Sequence, residues 1–210
     1  MDTRIFFERK STEDFLIEET AKVLNNGGVV VVPTDTVPGI GCRVDNLDAL
    51  NRIFELKNRP SDLAVPVILS EPEQVEEYCH NVSPLFYKLA ERFWPGALTI
   101  ILRSNGKIDR RIGGGGDTIG FRIPDFELLP SLVKSISCPL ALTSANPHGE
   151  SPDGLHSAIL NWWNHKVDLI ILGKSTAPRP PSTVIDLTSD PACLLREATI
   201  KKDIIEPILE

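Results

Sequence analysis

The sequence feature that most restricts the fold of this chain is a run of four valines, Val29 to Val32, closed by Pro33. The run is too short for a helix and too apolar for a strand with one face in water. It therefore predicts a strand covered on both faces, as in sheets that lie between layers of helices. Strands are also predicted at further short apolar runs, which are residues 65–69, 97–102, 118–123, 139–142, 169–172 and 183–187.

Segments with apolar residues at helical spacing lie between several of these strands. This spacing predicts a helix from about Asn46 to Lys57, which Pro60 ends. Ser11 and Asp14 predict the start of an earlier helix. The same spacing predicts two more helices, at residues 83–93 and 126–136. Because some strands follow each other without a helix between them, the predicted fold class is α/β with a mixed sheet.

The length of 210 residues favours one large domain, residues 1–210, which needs neither disulfides nor a structural metal to stay folded. Hydrophobic residues make up 41% of the chain and charged residues 24%, which excludes a disordered or fibrous class. No run of about 18 apolar residues occurs, and the charged segment Met1 to Lys10 lacks the apolar stretch of a signal peptide. We therefore expect no membrane segment and no secretion.

The four cysteines lie far apart and form no pair with the short spacing of a zinc site or a redox motif. We expect them to be reduced and mostly buried, in a cytoplasmic protein. They are Cys42, Cys79, Cys138 and Cys193.

The net charge of −7, from 22 basic and 29 acidic side chains, argues against a protein whose whole surface binds nucleic acid. The segment from Ile100 to Arg122 runs against this sign, because basic residues outnumber acidic ones there. Two interpretations of the segment remain open, a solvated turn and a local basic cleft that contacts RNA.

Small hydroxyl and amide side chains cluster after two predicted strands. Thr34, Asp35 and Thr36 follow the valine run, and residues 143–146 follow the strand at 139–142. In open α/β sheets ligands bind beyond the carboxyl ends of strands, and such groups can hydrogen-bond a polar ligand in several directions. Each cluster is also typical of caps and turns, so neither identifies a site by itself.

Two cations, Lys57 and Arg59, end the second predicted helix before Pro60. Their spacing holds two positive charges apart in a turn, which suits a polyphosphate, although basic residues in a last helical turn also stabilise the helix dipole. No glycine-rich phosphate loop of the Walker type occurs. Gly113 to Gly116 predict a turn between strands, with a lid over a ligand as the alternative.

Seven motifs occur in order over residues 15–200. They are Pro33-Thr-Asp-Thr-x-x-Gly, Lys57-x-Arg59-Pro60, Phe93-Trp-Pro-Gly96, Thr118-x-Gly-x-Arg122-x-Pro124, Thr143-Ser-Ala-Asn146, Ser182-Thr-Val-x-Asp186-Leu and Leu195-Arg196. In this order and at about these separations the motifs resemble those of the YrdC family. The resemblance implies a twisted mixed sheet with helices packed on it and a concave, partly basic ligand cavity.

The resemblance also implies an enzyme. This nucleotidyltransferase would make threonylcarbamoyl-adenylate from L-threonine, bicarbonate and ATP, with Mg²⁺ accompanying the ATP and with release of pyrophosphate. The product supplies the threonylcarbamoyl group placed on an adenosine beside the anticodon of certain tRNAs. Contacts with RNA or tRNA and with tRNA-modification proteins are therefore expected, and no additional carboxyl-terminal domain is expected.

Position by position, the resemblance implies the residues of the site. The chemistry is attack of a carbamate oxygen on the α-phosphorus, which needs alignment and positive charge and no protein nucleophile. The implied catalytic residues are Lys57, Arg59, Ser144 and Asn146. The implied ATP-binding residues are these four with Thr118, Ser151 and Arg196. The implied threonine-binding residues are Thr36, Arg122, Thr143 and Ser182.

The chain departs from the usual pattern of the family at His148, where the turn after Asn146 usually has Ser, at Ala198, where Gly is common, and at three further positions. Pro38 stands where Tyr is usual, Leu63 where Lys is usual, and Ile68 where a polar residue or His is common. The change at 63 removes a phosphate contact, and the change at 68 removes a polar group near the amino acid. The alternative function is therefore a YciO-like RNA- or nucleotide-binding protein with weak or different adenylating activity.

Overall fold

The computed structural model describes residues 2–9, 12–151, 155–174 and 180–209. These residues form one α/β unit of ten strands and seven α-helices. The elements in chain order are β1 (Arg4–Phe7), α1 (Glu13–Asn25), β2 (Val30–Val32), β3 (Gly39–Arg43), α2 (Leu47–Lys57), β4 (Val67–Ile68), α3 (Val75–Tyr78), α4 (Pro84–Phe93), β5 (Leu98–Arg103), β6 (Thr118–Arg122), α5 (Leu128–Ile136), β7 (Leu140–Ser144), α6 (His156–Trp163), β8 (Leu169–Leu172), β9 (Thr183–Asp186), β10 (Cys193–Arg196) and α7 (Lys202–Leu209).

All ten strands belong to one sheet, in the order β1-β8-β2-β3-β7-β4-β6-β5-β9-β10. Strand β8 pairs in parallel with β1 and β2, and the pairs β4/β6 and β5/β9 are also parallel. The other neighbours, β2/β3, β3/β7, β4/β7, β5/β6 and β9/β10, are antiparallel. The predicted α/β class with a mixed sheet is therefore confirmed.

The strongest local patterns of the sequence correspond to elements of the structure. The valine run forms β2 between β8 and β3, and its side chains are fully buried, as predicted. Helix α2 begins after Asn46, whose side chain accepts a hydrogen bond of 2.9 Å from the Ala49 amide. Helix α1 begins at Glu13, and the predicted cap residue Ser11 lies outside the described residues. The sequence patterns do not predict β1, β3, α3, α6, β10 or α7.

The predicted state of the cysteines is confirmed for three of the four thiols. Cys42, Cys79 and Cys138 are free and buried, whereas Cys193 is free and exposed on β10. Burial raises the pKa of Cys42 and of Cys79 to about 12. In the part of the chain that the structure describes, no helix has the length and apolar character needed to cross a membrane.

Candidate active site

A cavity of about 500 Å³ lies on one face of the sheet, over its central strands. Alternate residues of β5 and β6 line it, because successive side chains of a strand point to opposite faces. Gly120 of β6 keeps this face open, since a Cβ atom there would lie 3.0 Å from Thr99 Cγ2. The sequence predicts the ligand-binding hydroxyl groups directly after two strands. This holds for Thr36, which follows β2, but Thr143 and Ser144 lie within β7 itself.

Eight of the eleven predicted site residues line this single cavity, although they come from segments spread over most of the chain. They are Thr36, Arg59, Thr118, Arg122, Thr143, Ser144, Ser182 and Arg196. Three predicted residues, Lys57, Asn146 and Ser151, are not part of the lining. Lys57 and Asn146 are buried beside it, and Ser151 is exposed.

Arg122 is held in one orientation by three hydrogen bonds. Its Nη1 donates to Thr36 Oγ1 at 2.9 Å, its Nη2 to Asp35 Oδ1 at 2.6 Å, and its Nε to the Gly96 carbonyl at 3.0 Å. Burial lowers the pKa of Arg122, and the Asp35 carboxylate opposes that shift. Asp35 therefore balances much of the Arg122 charge at this end of the cavity.

A second hydrogen-bond network connects Thr99 of β5 and Arg196 of β10 through Ser182, the residue before β9. The hydroxyls of Thr99 and Ser182 share a hydrogen bond of 2.8 Å. Arg196 Nε donates to the Ser182 carbonyl at 3.0 Å, and its Nη2 lies 3.3 Å from Ser182 Oγ. Burial lowers the pKa of Arg196, whose charge also lowers the pKa of Arg122. The predicted threonine and nucleotide residues are therefore neighbours here.

Arg59 reaches the cavity because of the way helix α2 ends. Asn58 adopts a left-handed conformation with φ of 50°, which stops the helix and turns the chain. Arg59 Nη2 then donates to the Ala64 carbonyl at 2.8 Å, while its buried Nε has no hydrogen-bond partner among the described residues. Burial lowers the pKa of this guanidinium. Arg59 is thus oriented by a neutral group and retains its charge for a ligand.

Lys57 lies behind the cavity wall, where it connects α2 to the end of β7. Its side chain is 1% exposed, and its ammonium donates to the carbonyls of Ser144 and Asn146. The Lys57 carbonyl in turn accepts a hydrogen bond of 2.8 Å from the His148 amide. Burial and the nearby Arg59 charge lower the pKa of Lys57 to about 8. The turn with Lys57 and Arg59 is therefore joined directly to the turn with Ser144 and Asn146.

The segment after β7 is held by Asn146 and by a tryptophan from helix α6. Asn146 Nδ2 donates to the carbonyls of Pro147 and Glu150, at 3.0 and 2.6 Å. Its buried Oδ1 has no partner in the described parts of the chain. Trp163 is buried, and its Nε1 donates to the Ala145 carbonyl at 3.0 Å. The backbone around Ser144 is therefore fixed from two sides.

The charge of the described lining is entirely positive. It contains three arginines, Arg59, Arg122 and Arg196, and no Asp or Glu. Seven hydroxyl side chains share the cavity, namely Thr34, Thr36, Thr99, Thr118, Thr143, Ser144 and Ser182. Arg59 and Arg196 have no carboxylate partner among the described residues, and buried cations without anions are unfavourable, so their part of the cavity is suited to a ligand with several negative charges and polar substituents. No group of three or more potential metal ligands occurs among the described residues.

Several residues that shape the site were not assigned a role from the sequence. Asp35 orients Arg122, Thr99 orients Ser182, and Trp163 holds the Ala145 carbonyl. Asp35 lies within the motif Pro33-Thr-Asp-Thr-x-x-Gly, and this position in the motif could have identified it as a site residue. Thr99 and Trp163 belong to ordinary apolar runs, and only the folded structure brings them to the site.

Of the family departures at positions 38, 63 and 68, only Ile68 lines the cavity, and Pro38 lies between two lining residues. Ile68 of β4 lines the cavity and makes that part of the wall apolar. Pro38 accepts a hydrogen bond of 2.7 Å from the Ala145 amide through its carbonyl, a contact that any residue at this position can make. Leu63 is exposed and is not part of the lining.

The chain is similar in sequence to proteins of known family. The Sua5/YciO/YrdC family model, described as telomere recombination, matches residues 22–198. A threonylcarbamoyl-AMP synthase of Pyrococcus abyssi is 35% identical over 208 residues, which cover 99% of this chain and 61% of that protein. The chain thus spans about three fifths of the length of this relative.

Solved structures agree with the sequence comparison. P. abyssi Sua5 complexed with L-threonine superimposes with a TM-score of 0.91 at 33% identity, over 99% of this chain and 61% of that one. E. coli YciO superimposes with a TM-score of 0.85 at 25% identity, over 98% of this chain and 99% of that one. From the extent of the match, the shared sheet and the order of the motifs, the chain belongs to the Sua5/YciO/YrdC family.

Proposed function

We propose that this protein is an L-threonylcarbamoyladenylate synthase, which forms threonylcarbamoyl-AMP and pyrophosphate from L-threonine, bicarbonate and ATP. The observation that carries the proposal is the cavity with three arginines, seven hydroxyls and no carboxylate in its described lining. The name of the Pyrococcus relative and the threonine complex of P. abyssi Sua5 support the same reaction. The product would serve tRNA modification.

The triphosphate would bind where positive charge is not neutralised. Arg59 and Arg196 are held by the carbonyls of Ala64 and Ser182, and neither has a carboxylate partner in the described structure. Neutral acceptors orient a guanidinium without cancelling its charge, so both cations remain available to phosphate oxygens. Thr118 offers a hydroxyl at the same cavity. The proposed nucleotide set also includes Ser144, Asn146, Ser151 and Lys57.

L-Threonine would bind at the Arg122 end. An amino acid is a zwitterion with no net charge, and the Asp35–Arg122 ion pair makes this end of the cavity nearly neutral. Arg122 has N–H groups left for the substrate carboxylate after its three protein contacts. The hydroxyls of Thr36, Thr143 and Ser182 surround this position and suit the amino and hydroxyl groups of threonine.

The proposed reaction has two steps. The threonine amine combines with bicarbonate to give a carbamate and water. A carbamate oxygen then attacks the α-phosphorus of ATP, and the bond to the β-phosphate oxygen breaks to release pyrophosphate. The chain supplies alignment and positive charge at the leaving group. Mg²⁺ would enter with ATP as part of the substrate, because the described lining offers no carboxylate to hold the ion by itself.

The test is to incubate the pure protein with ATP, L-threonine, bicarbonate and MgCl₂ and to measure pyrophosphate and threonylcarbamoyl-AMP. We expect both products only when every substrate is present. The Arg59→Ala variant should lose activity, while Arg103→Ala should retain it because Arg103 is exposed at the end of β5 and pairs with Asp117. Pyrophosphate release that does not depend on threonine would refute the proposal.

A second candidate is an adenylate-forming enzyme that uses a different amino acid or a different carbamoyl acceptor. Ile68 favours it, because this side chain adds apolar surface to the cavity wall. Screening the other amino acids for pyrophosphate release distinguishes the two candidates, since only the second predicts a better substrate than threonine.

A further inference from the structure

Strand β1 forms one edge of the sheet and leaves half of its backbone groups directed outward. It pairs with β8 on one side, and no other strand of the described chain lies beyond it. The Arg4 amide donates to the Asp168 carbonyl at 3.0 Å, and the Glu8 amide donates to the Leu172 carbonyl at 2.9 Å. Because alternate residues of a strand pair on the same side, the N–H and C=O groups of Ile5 and Phe7 point away from the sheet.

The side chains around this edge are unusually apolar for an exposed strand. Ile5 is 38% exposed, Phe7 55% and Phe15 48%. Phe7 contacts the ring of His156, whereas Phe6, on the opposite face, contacts the ring of Phe15 with centroids 5.4 Å apart. Edge strands are normally protected by charge, proline or a covering segment, and contiguous exposed apolar groups mark interaction surfaces. Both faces of the sheet therefore expose apolar groups at the β1 edge.

We infer that this edge binds a second copy of the chain, through antiparallel pairing of the two β1 strands about a two-fold axis at Phe6. In this register Ile5 lies opposite Phe7 of the partner, and Phe7 lies opposite the partner's Ile5. Both residues have outward N–H and C=O groups, so each pair exchanges two backbone hydrogen bonds. The same register places Arg4 opposite the partner's Glu8, on the face that carries Phe6.

The charges of residues 4–8 select this arrangement from its alternatives. A parallel pairing in register would place Arg4 opposite Arg4 and Glu8 opposite Glu8. An antiparallel pairing shifted to an axis at Ile5 would place Arg4 opposite Phe6 and Glu8 opposite the like-charged Asp2, and an axis at Phe7 would place Glu8 opposite Phe6. Only the axis at Phe6 matches opposite charges at both ends, and symmetry doubles every contact. Since Arg4 and Glu8 already pair with Glu19 and Lys174 in one chain, the new pairs set register more than affinity.

The proposed contact is small and leaves the cavity accessible. One short strand from each copy, with the flanking aromatic rings, places the interface at the weak end of the range for specific protein contacts. A dimer in reversible equilibrium with monomer is therefore expected. None of the described cavity-lining residues lies on β1, so both copies keep an open site.

Sedimentation velocity over a concentration series, with single and mixed variants, tests the inference. The wild-type chain of 23.2 kDa should form a dimer as its concentration rises. Arg4→Glu and Glu8→Arg, each alone, place like charges opposite each other and should weaken dimerisation about tenfold. An equimolar mixture of the two variants should regain wild-type association, because each then meets the opposite charge. Lys88→Glu, an equal charge change at an exposed position of α4, should leave association unchanged.

A second variant removes backbone pairing without changing charge. Ile5→Pro deletes an N–H that points outward and should abolish the dimer while the melting temperature of the monomer shows that the ladder with β8 survives. Three results would each overturn the inference. They are a wild-type chain that stays monomeric throughout, a dimer that persists in Ile5→Pro, and single charge variants whose mixture associates no better than either alone.

Discussion

The buried Lys57 ammonium offers a quantitative test of how the site is built, through the substitution Lys57→Met. The change keeps the length and the apolar stem of the side chain but removes the donor to the carbonyls of Ser144 and Asn146. Losing a donor to buried acceptors costs about 1–3 kcal/mol, whereas removing a buried charge relieves its desolvation. At neutral pH these two terms oppose each other, so the pH dependence is the more informative measurement.

The sign of that pH dependence follows from the depressed pKa. Burial lowers the pKa of Lys57 from 10.5 to about 8 in the folded state. Between these values the unfolded chain binds the proton and the folded chain does not, so the free energy of unfolding rises with pH. This stabilising contribution is complete above about 10.5 and is lost as pH falls through about 8. At about 1.36 kcal/mol per pKa unit, roughly 2 kcal/mol is gained between about pH 7.5 and 10.

Urea unfolding of the wild-type chain and of Lys57→Met at both pH values measures this gain. We expect the difference in unfolding free energy between the two proteins to change by about 2 kcal/mol in favour of the wild type at the higher pH. Lys88→Met, at an exposed position of α4, should show no such change. Equal pH profiles for wild type and Lys57→Met would refute the reasoning, because they would mean that the two carbonyls keep the ammonium fully charged.

Three further substitutions test single contacts of the site. Arg59→Ala should reduce pyrophosphate release about 100-fold but cost only about 0.3–1 kcal/mol of stability, as measured by melting curves; an equal loss of both would contradict this. Arg122→Lys should raise the KM for threonine about tenfold in steady-state assays, because lysine cannot form two parallel bonds to a carboxylate; an unchanged KM would contradict it. Trp163→Phe should cost about 1–3 kcal/mol in urea unfolding by leaving the Ala145 carbonyl without its donor, and no loss would show that the bond is dispensable.

Local sequence patterns predict the strands and helices whose formation is determined by residues close together in the chain. The valine run forms β2, and the cap at Asn46 starts α2, because burial on both faces and a capping side chain each leave a local pattern. Strand β1 was not predicted, since four residues in a charged terminal segment show no period. The order and register of the strands could not be predicted from local sequence patterns either, because each pairing depends on residues far apart in the chain.

Strand β3 leaves no clear pattern in the sequence. Gly39 and Gly41 interrupt its apolar residues, and the sequence patterns predict no strand there. In the structure both lie in β3 opposite β7, where a Cβ atom at Gly39 would come within 2.6 Å of Leu142 and one at Gly41 within 2.5 Å of the Ala141 carbonyl. The glycines therefore allow close packing of two strands rather than a turn.

The motifs identified most of the cavity but could not show which face each side chain takes. Arg59 and Lys57 were predicted as a pair of phosphate-binding cations, and the structure separates them. The left-handed Asn58 turns Arg59 into the lining, while Lys57 remains on the helix and points beneath β7. A spacing of two residues at a helix end does not determine this difference. Whether Lys57 contacts ATP stays a prediction.

The basic segment between β5 and β6 gives little support to the alternative of an RNA-binding surface. Arg103 pairs with Asp117 at 3.1 Å, Arg111 with Asp109 at 2.9 Å, and Arg122 with Asp35 inside the molecule. Phosphate binding needs cations that are free to release counterions, and paired cations contribute less. Asp109 and Asp117 belong to the segment itself, so two of its three excess positive charges are compensated from elsewhere in the fold, by Asp35 at Arg122 and by Glu77 at 3.9 Å from Lys107.

The hydrogen-bond partners of the cavity arginines can orient a guanidinium without neutralising its charge. Carboxylate partners would fix the guanidiniums strongly but would cancel the charge that a phosphate needs. Backbone carbonyls fix Arg59 and Arg196 with dipoles only, so the positive potential of the cavity survives in the absence of ligand. Arg122, which we propose to meet a zwitterion, is the one described lining cation that has a carboxylate partner. The distribution of partners, and not the number of arginines, thus divides one cavity into an end for a polyanion and an end for an amino acid.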